Sequence, residues 1–261
     1  MNFDLTGKNA LVCGSSRGIG KAAAIELAAL GANVTLVARN IERLGSVLEA
    51  LDHTKGQNHD FFSADFSDPV DLQKKVNGLA AQKNIHILIN NTGGPAGGPA
   101  HLAQLEEFSS AFNNHLICNH ILVQALMDGM KKEGYGRIIN VISTSVKQPL
   151  DGLGVSNTIR GAVANWSKTL ANELGAFGIT VNNVLPGATL TDRLQEIIEA
   201  KAAKTGKPVE DIQKAMQAAV PMKRFAKPEE IAAAIAFLAS PAASYINGIN
   251  VPVDGGRTKS L

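Results

Sequence analysis

Lys8-Asn9-Ala10-Leu11-Val12-Cys13-Gly14-Ser15-Ser16-Arg17-Gly18-Ile19-Gly20 passes from an apolar run into a glycine turn and then into a helical pattern. Lys8–Cys13 reads as a first buried strand, and residues 18–30 read as the helix that follows. The glycines are spaced G-x-x-x-G-x-G, which permits a tight turn and lets the backbone approach a pyrophosphate at the helix N-terminus. A glycine triplet alone is weak evidence, and its default meaning is a structural turn. The strand before it and the helix after it lift it above that default.

Outward from this turn, short apolar runs alternate with helical patterns. Gly31 ends the first helix, Val34–Ala38 reads as a second strand, and a helix near 40–51 leads to a third strand near His59–Ala64. Asp68-Pro69 is a helix start, with a capping side chain and proline in the first turn. His86–Asn90 is a fourth strand, followed by a Gly/Pro-rich loop through Gly98 and one long helix over about 104–131. Gly136–Ile142, a helix at 155–174, Ile179–Leu185, a helix at 228–239 entered at Pro228, and Gly248–Val253 complete the series. This alternation predicts an α/β fold of Rossmann type, a doubly wound parallel sheet of about seven strands with helices on both faces. Ligands in such sheets bind beyond the carboxyl ends of the strands, where strand order reverses. No repeat or linker divides the chain, so residues 1–261 read as a single dinucleotide-binding domain. Residues 188–227 break the rhythm: they are charged, alanine-rich and interrupted at Thr205-Gly206-Lys207-Pro208. They read as a helical lid over the substrate mouth or as a plain surface excursion.

The bulk properties agree with a core that needs no staples. The chain has 261 residues, 45% of them hydrophobic, and a formal net charge of +2 with both signs scattered. Such a length buries about three quarters of the unfolded surface. No basic block suggests nucleic acid or a membrane surface as a partner. Cys13 and Cys118 lie far apart without metal-ligand spacing, which fits a reducing cytoplasm and predicts no metal. Met1–Lys8 has no apolar signal core. Phe108–Met127 lacks charge but holds Asn113, Asn114, His115, Asn119 and His120, which are costly in lipid; it reads as a buried helix at a subunit contact.

Further landmarks fall in a recognisable order: Ala64-Asp65, Asn90-Asn91-Thr92-Gly93, Gly136-Arg137-Ile138-Ile139-Asn140-Val141-Ile142-Ser143, Pro186-Gly187 and Val253-Asp254-Gly255-Gly256. With the glycine turn, where Cys13 stands in the usual place of threonine, they resemble the short-chain dehydrogenase/reductase family from about residue 5 to 256. The 3-oxoacyl-ACP-reductase-like members are the most similar. The resemblance implies a nicotinamide cofactor held by Gly14, Ser15, Ser16, Arg17, Gly18, Ile19, Gly20, Asp65, Asn91, Gly93, Pro186 and Gly187. It also implies a homodimer or homotetramer. An acid at the end of strand two would bind the ribose diol of NAD. Arg39 stands there instead, and with Arg17 it makes a seat for a 2′-phosphate, so NADP(H) is expected over NAD(H). The bland alternative is a solvated Arg39 at a helix entry.

The family's chemistry uses a tyrosine as proton donor, a lysine four residues later, a serine that holds the substrate oxygen, and an asparagine on the long helix. Ser143 matches the serine, but Ser156 occupies the tyrosine position, Arg160 the lysine position and His115 the asparagine position. Serine can donate a hydrogen bond without readily giving up its proton, and arginine keeps charge and donors but cannot act as an acid. Two surrogate donors are available. His115 titrates near neutrality if it points into the pocket, or it merely ties a backbone kink. Lys147 follows Ser143 by four residues, and burial beside Arg160 would lower its pKa, or it is an ordinary loop lysine. Tyr135 and Tyr245 read as packing residues. The expected function is NADPH-dependent reduction of a small-molecule carbonyl, a 3-oxoacyl thioester among the candidates, through an atypical site. The alternative is a catalytically silent NADP(H)-binding sensor or partner subunit. A serine hydrolase built on Ser143 and His115 has no G-x-S-x-G elbow behind it.

Overall fold

The computed structural model describes residues 1–260. Seven strands form one parallel sheet: β1 (Asn9–Cys13), β2 (Asn33–Ala38), β3 (Asp60–Ser63), β4 (Ile87–Asn90), β5 (Gly136–Val141), β6 (Ile179–Pro186) and β7 (Asn250–Val253). Their order is β3-β2-β1-β4-β5-β6-β7, with every pairing parallel. The chain moves outward from β1 in one direction, returns, and continues from β4 in the other. The β1/β4 boundary is therefore the switch point where the loops after the two strands diverge.

Strand residues alternate between two apolar layers because successive side chains point to opposite faces. Ala10, Val12, Ile87 and Ile89 lie in one apolar layer with Ala23, Leu27, Leu44, Ile231 and Ile235, under α1 (Gly18–Ala29), α2 (Ile41–Leu48) and α9 (Pro228–Ala239). Leu11, Cys13, Leu88 and Ile138 face the other way, under α3 (Pro69–Gln82), α5 (Cys118–Glu133) and α6 (Gly154–Leu174). The small residues Ala22, Ala23, Ala24 and Ala28 line the buried side of α1, so it can lie close to the sheet and to α9. Asp68 caps α3 as its sequence predicts, its carboxylate accepting the Asp71 N–H at 3.0 Å ahead of Pro69.

Two expectations change. The long helix is not continuous: α4 (Leu105–Phe112) and α5 are joined by a π-turn at Asn113–Ile117, which contains His115. Within the chain, α5 buries one face and Phe112 is exposed. Tyr245 is fully exposed and is no packing residue, because it follows the short turn that redirects the chain into β7. Tyr135 does pack, donating its hydroxyl to the Ala239 carbonyl at 2.7 Å. Between β6 and α9 lie α7 (Asp192–Thr205) and α8 (Val209–Ala218), closed on each other over Leu194, Ile198, Ile212 and Phe225. Gly206 ends α7 with a left-handed turn, where the sequence break predicted it. Among the described residues no helix is long and apolar enough to cross a membrane.

A line of amides crosses the sheet that periodicity did not foretell. Asn90, Asn140, Asn183 and Asn250 stand side by side in register on β4 to β7. Asn90 donates to Asn140 at 2.7 Å, Asn140 to Asn183 at 3.1 Å and Asn183 to Asn250 at 2.8 Å. Asn140 also donates to the Ser167 hydroxyl of α6 at 2.8 Å. The chain of bonds ties four strands and a helix together directly beneath the carboxyl ends where the site residues sit.

Candidate active site

Each strand delivers its site residues at its carboxyl end. After β1, the glycine turn closes tightly on itself. A side chain at Gly20 would meet the Gly14 carbonyl and the Asn91 amide, so only glycine allows α1 to begin there. Asn91 donates to the Cys13 and Gly14 carbonyls at 3.3 and 3.4 Å, locking the loop after β4 to the turn. The first turn of α1 has no side-chain cap, and Arg17 precedes it in an extended conformation. Its N–H groups are therefore the unsatisfied donors that a helix start offers to an anion. Ile19 turns its side chain into the core, and Ser16 is half-buried.

Ser15 departs from the expectation of a cofactor ligand. It is fully buried, its N–H donates to the Val37 carbonyl at 3.2 Å, and its Oγ accepts the Val37 N–H at 2.9 Å. Both groups are spent on fastening the turn to β2, which leaves nothing for a ligand.

Arg39 stands at the end of β2 with its side chain 76% exposed, 3.9 Å from the Asp65 carboxylate just past β3. The Asp65 carboxyl is held below its ordinary range, chiefly by the Ser67 N–H; burial opposes this, and Ser67's hydroxyl and then Arg39 add to the lowering. Arg17 is turned elsewhere: its Nη1 lies 2.6 Å from Asp192, the first residue of α7. Gly93 borders open space, whereas Gly187 packs against the Asp254 backbone and donates to the Val253 carbonyl. Pro186 ends β6 half-buried.

The chemical end of the cleft is built from β5, the π-turn and α6. Ser143 follows β5 in an extended conformation, its Oγ accepting the Ser145 N–H at 3.1 Å. That bond uses an acceptor lone pair and leaves the hydroxyl proton free to point outward. Ser156 and Arg160 are one helical turn apart on α6 and share a face. Ser156 is half-buried; Arg160 is only 7% exposed, with Nη1 donating to the Val141 carbonyl at 3.2 Å. Burial lowers its pKa to about 10, so it stays cationic at neutral pH. Lys147 ends the short turn after Ser143, half-buried.

His115 corrects an expectation. It does not titrate near neutrality: burial and then the Arg160 charge push its pKa down to about 2. Its Nδ1 lies 2.6 Å from the Thr92 hydroxyl on the loop after β4. The histidine is thus a neutral, hydrogen-bonded group at the cleft floor, aimed there by the π-turn. Thr92 and Asp192 are partners that the sequence did not signal, because each is defined only by a contact across the fold. Two surface hollows, of about 590 and 280 Å³, lie against α7, α8 and Arg224. Neither is walled by Ser143, Ser156 or Arg160.

A glycine turn at the switch point of a parallel sheet, with polar side chains gathered above the neighbouring strands, defines a dinucleotide-binding α/β protein. Comparison with known proteins narrows the class. Residues 14–258 match the family described as enoyl-(acyl carrier protein) reductase. The NADPH-dependent reductase BacG of Bacillus subtilis is 30% identical over 97% of this chain and 99% of its own. The 3-oxoacyl-[acyl-carrier-protein] reductase FabG of Vibrio cholerae is 35% identical over 97% and 98% of the two chains. The structure of L-sorbose reductase from Gluconobacter frateurii, complexed with NADPH and L-sorbose, superposes with a TM-score of 0.93 at 32% identity, covering both chains completely. The chain belongs to the short-chain dehydrogenase/reductase family of oxidoreductases.

Proposed function

We propose that the protein is an NADPH-dependent carbonyl reductase with an atypical active site. The observation that carries this reading is that an uncapped α1 N-terminus, an exposed Arg39 and the Ser143 hydroxyl all follow the carboxyl ends of strands in one parallel sheet. The residues suit the cofactor: α1 N–H groups for the pyrophosphate, Arg39 for a 2′-phosphate, Asp65 and Asn91 for the adenosine half, and Gly93, Pro186, Gly187 and Arg160 for the nicotinamide half. BacG and the sorbose reductase, both associated with NADPH by name, support the same choice. When bound, the cofactor supplies the hydride.

This chain's own residues supply orientation and charge. Ser143 donates a hydrogen bond to the carbonyl oxygen, and Ser156 lies beside that path on α6. Arg160 keeps a full positive charge in a poorly solvated floor, where it stabilises negative charge growing on the oxygen far more than it would in water. His115 holds Thr92 and stays neutral beside that charge, so it positions and does not act as the acid. The proton that completes the alcohol comes from water, since neither serine nor arginine is an acid at neutral pH. Helices α7 and α8 act as a lid within a single domain, and the protein assembles as a homodimer or homotetramer.

A catalytically silent NADP(H)-binding protein is the second reading, favoured by the neutral His115 and the serine at position 156. Fluorescence titration with NADPH and with NADH, followed by a carbonyl panel, separates the two. Tight NADPH binding with turnover supports the reductase; binding without turnover supports the silent protein. Binding of neither dinucleotide excludes both.

A further inference from the structure

Arg160 is a cation that the fold has withdrawn from water without giving it an anion. It is 7% exposed, no carboxylate among the described residues pairs with it, and burial alone lowers its pKa. A guanidinium is rarely buried unless it is paired, because an isolated charge is costly away from water. One N–H meets a protein acceptor: Nη1 donates to the Val141 carbonyl at 3.2 Å, at the end of β5. Nη2 faces the loop after β4, 4.0 Å from where a Gly94 side chain would begin, and a Gly93 side chain would meet nothing within 4 Å. The free edge of the fork thus opens on two glycines. Hydroxyls approach from two sides: Ser156 lies one turn earlier on the same face of α6, and Ser143 follows Val141 by two residues. The neighbouring His115 is neutral and already bonded to Thr92, so it brings no negative charge.

We infer that Arg160 and Ser156 form a seat for a carboxylate of the substrate, and that the carbonyl compounds reduced here are 2-oxo acids. The inference rests on the reductase reading above and narrows its substrate class. Ribose hydroxyls on the nicotinamide half can satisfy N–H groups of Arg160, but they are neutral and leave its charge uncompensated. A carboxylate is planar, offers two acceptors and matches the guanidinium fork. Ser156 can donate to the same group, which gives its hydroxyl a use that needs no proton transfer. The place of the carbonyl follows from Ser143. Arg160 and Ser143 both serve its oxygen, so carboxylate and carbonyl must sit on adjacent carbons for one guanidinium to reach both. In the reaction the keto carbon takes the hydride, the C=O π pair moves onto the oxygen, and water protonates it. The 2-oxo acid is reduced to a 2-hydroxy acid as NADPH is oxidised to NADP+.

The test uses oxamate, an unreducible isostere of a 2-oxo acid, and its neutral methyl ester, each titrated calorimetrically into the NADPH-loaded protein. NADPH binding is measured first. Oxamate should bind at least about tenfold more tightly than the ester, which lacks the charge that strengthens the hydrogen bonds. Ser156→Ala should weaken oxamate by about threefold to tenfold with NADPH affinity unchanged. Arg160→Lys keeps the charge but loses the fork, and should weaken oxamate by about tenfold or more. In turnover, pyruvate and phenylpyruvate should exceed their methyl esters in kcat/KM by about 10². Equal binding of oxamate and its ester, no oxamate binding by a protein that holds NADPH, or esters reduced as well as the acids would overturn the carboxylate seat. A wild type that does not bind NADPH overturns the cofactor reading instead. Oxamate titrated into the free protein then decides the seat alone: selective binding that is lost in Arg160→Lys keeps it, and no binding removes it.

Discussion

Arg160 is buried with no carboxylate partner among the described residues, and this decides several behaviours of the site. A lone buried guanidinium is destabilising, so Arg160→Met should raise the unfolding free energy, on the order of 1–2 kcal/mol, while weakening NADPH binding. Denaturant titration and cofactor titration of the same variant check both signs. The same substitution should let the His115 pKa rise, since one of the two causes that depress it is removed. Ser143 has the opposite profile. Ser143→Ala should cut kcat/KM by about 10² to 10³ and leave NADPH affinity unchanged, as expected for a donor that acts on the substrate oxygen alone. Full activity in that variant would remove Ser143 from the mechanism. Asn140 is structural: Asn140→Ala strands the Asn90 amide N–H and the Asn183 side-chain carbonyl at once, while the Ser167 hydroxyl keeps its bond to the Val163 carbonyl. A loss of about 2–4 kcal/mol in unfolding free energy is expected from the shift in denaturant midpoint.

At the scale of elements, the π-turn at Asn113–Ile117 is the clearest local departure from regular structure. One extra residue in a helix shifts the following side chains by about 100° around the axis. That shift lets α4 and α5 keep their buried faces, Ala111 on one side and Cys118 and Leu122 on the other, while His115 turns to Thr92. Deleting Asn114 should regularise the helix, preserve helical circular dichroism and break the His115–Thr92 bond. Activity should fall with it. Retained activity would mean that the histidine needs no such aim. The uncapped start of α1 and the capped start of α7 show a matching logic. The end facing the groove keeps its N–H groups open, and the end that must stay rigid has Thr191.

For the whole molecule, three histidines lock protonation into folding. His59 Nδ1 accepts the Val34 N–H and His86 Nδ1 accepts the Asn9 N–H, both at 3.0 Å, which requires those nitrogens to be unprotonated. Burial lowers both pKa values, as it does that of His115. Below about pH 6.5 the unfolded chain therefore binds more protons than the folded one, and stability falls as pH falls. For His115 alone the loss approaches about 1.4 kcal/mol at pH 5.5 and continues to grow towards its folded pKa near 2. Unfolding midpoints at pH 7.5 and 5.5 should differ in this sense, and His115→Asn should narrow the gap. An unchanged gap would assign the acid sensitivity to His59 and His86.

Hydrophobic period and turn chemistry are local, and they fixed most of the fold in advance. The seven strands, the Asp68-Pro69 start of α3, the Gly206 break in the lid and the glycine turn were all legible, with strand ends correct to within a residue or two. Ser143, Ser156 and Arg160 were singled out by the family resemblance, which counts onward from the serine after β5. Contacts between distant segments could not be read this way. The amide line of Asn90, Asn140, Asn183 and Asn250 exists only because four separate strands align in register. Ser15 looked like a ligand residue until its hydroxyl was found fastened to Val37, and the ion pair between Arg17 and Asp192 spans 175 residues of sequence. His115 kept its place in the count but lost its ordinary pKa to burial and to a neighbouring charge. The amino-acid order determined which groups each element carries; only tertiary packing decided which partners, and how little water, each of them meets.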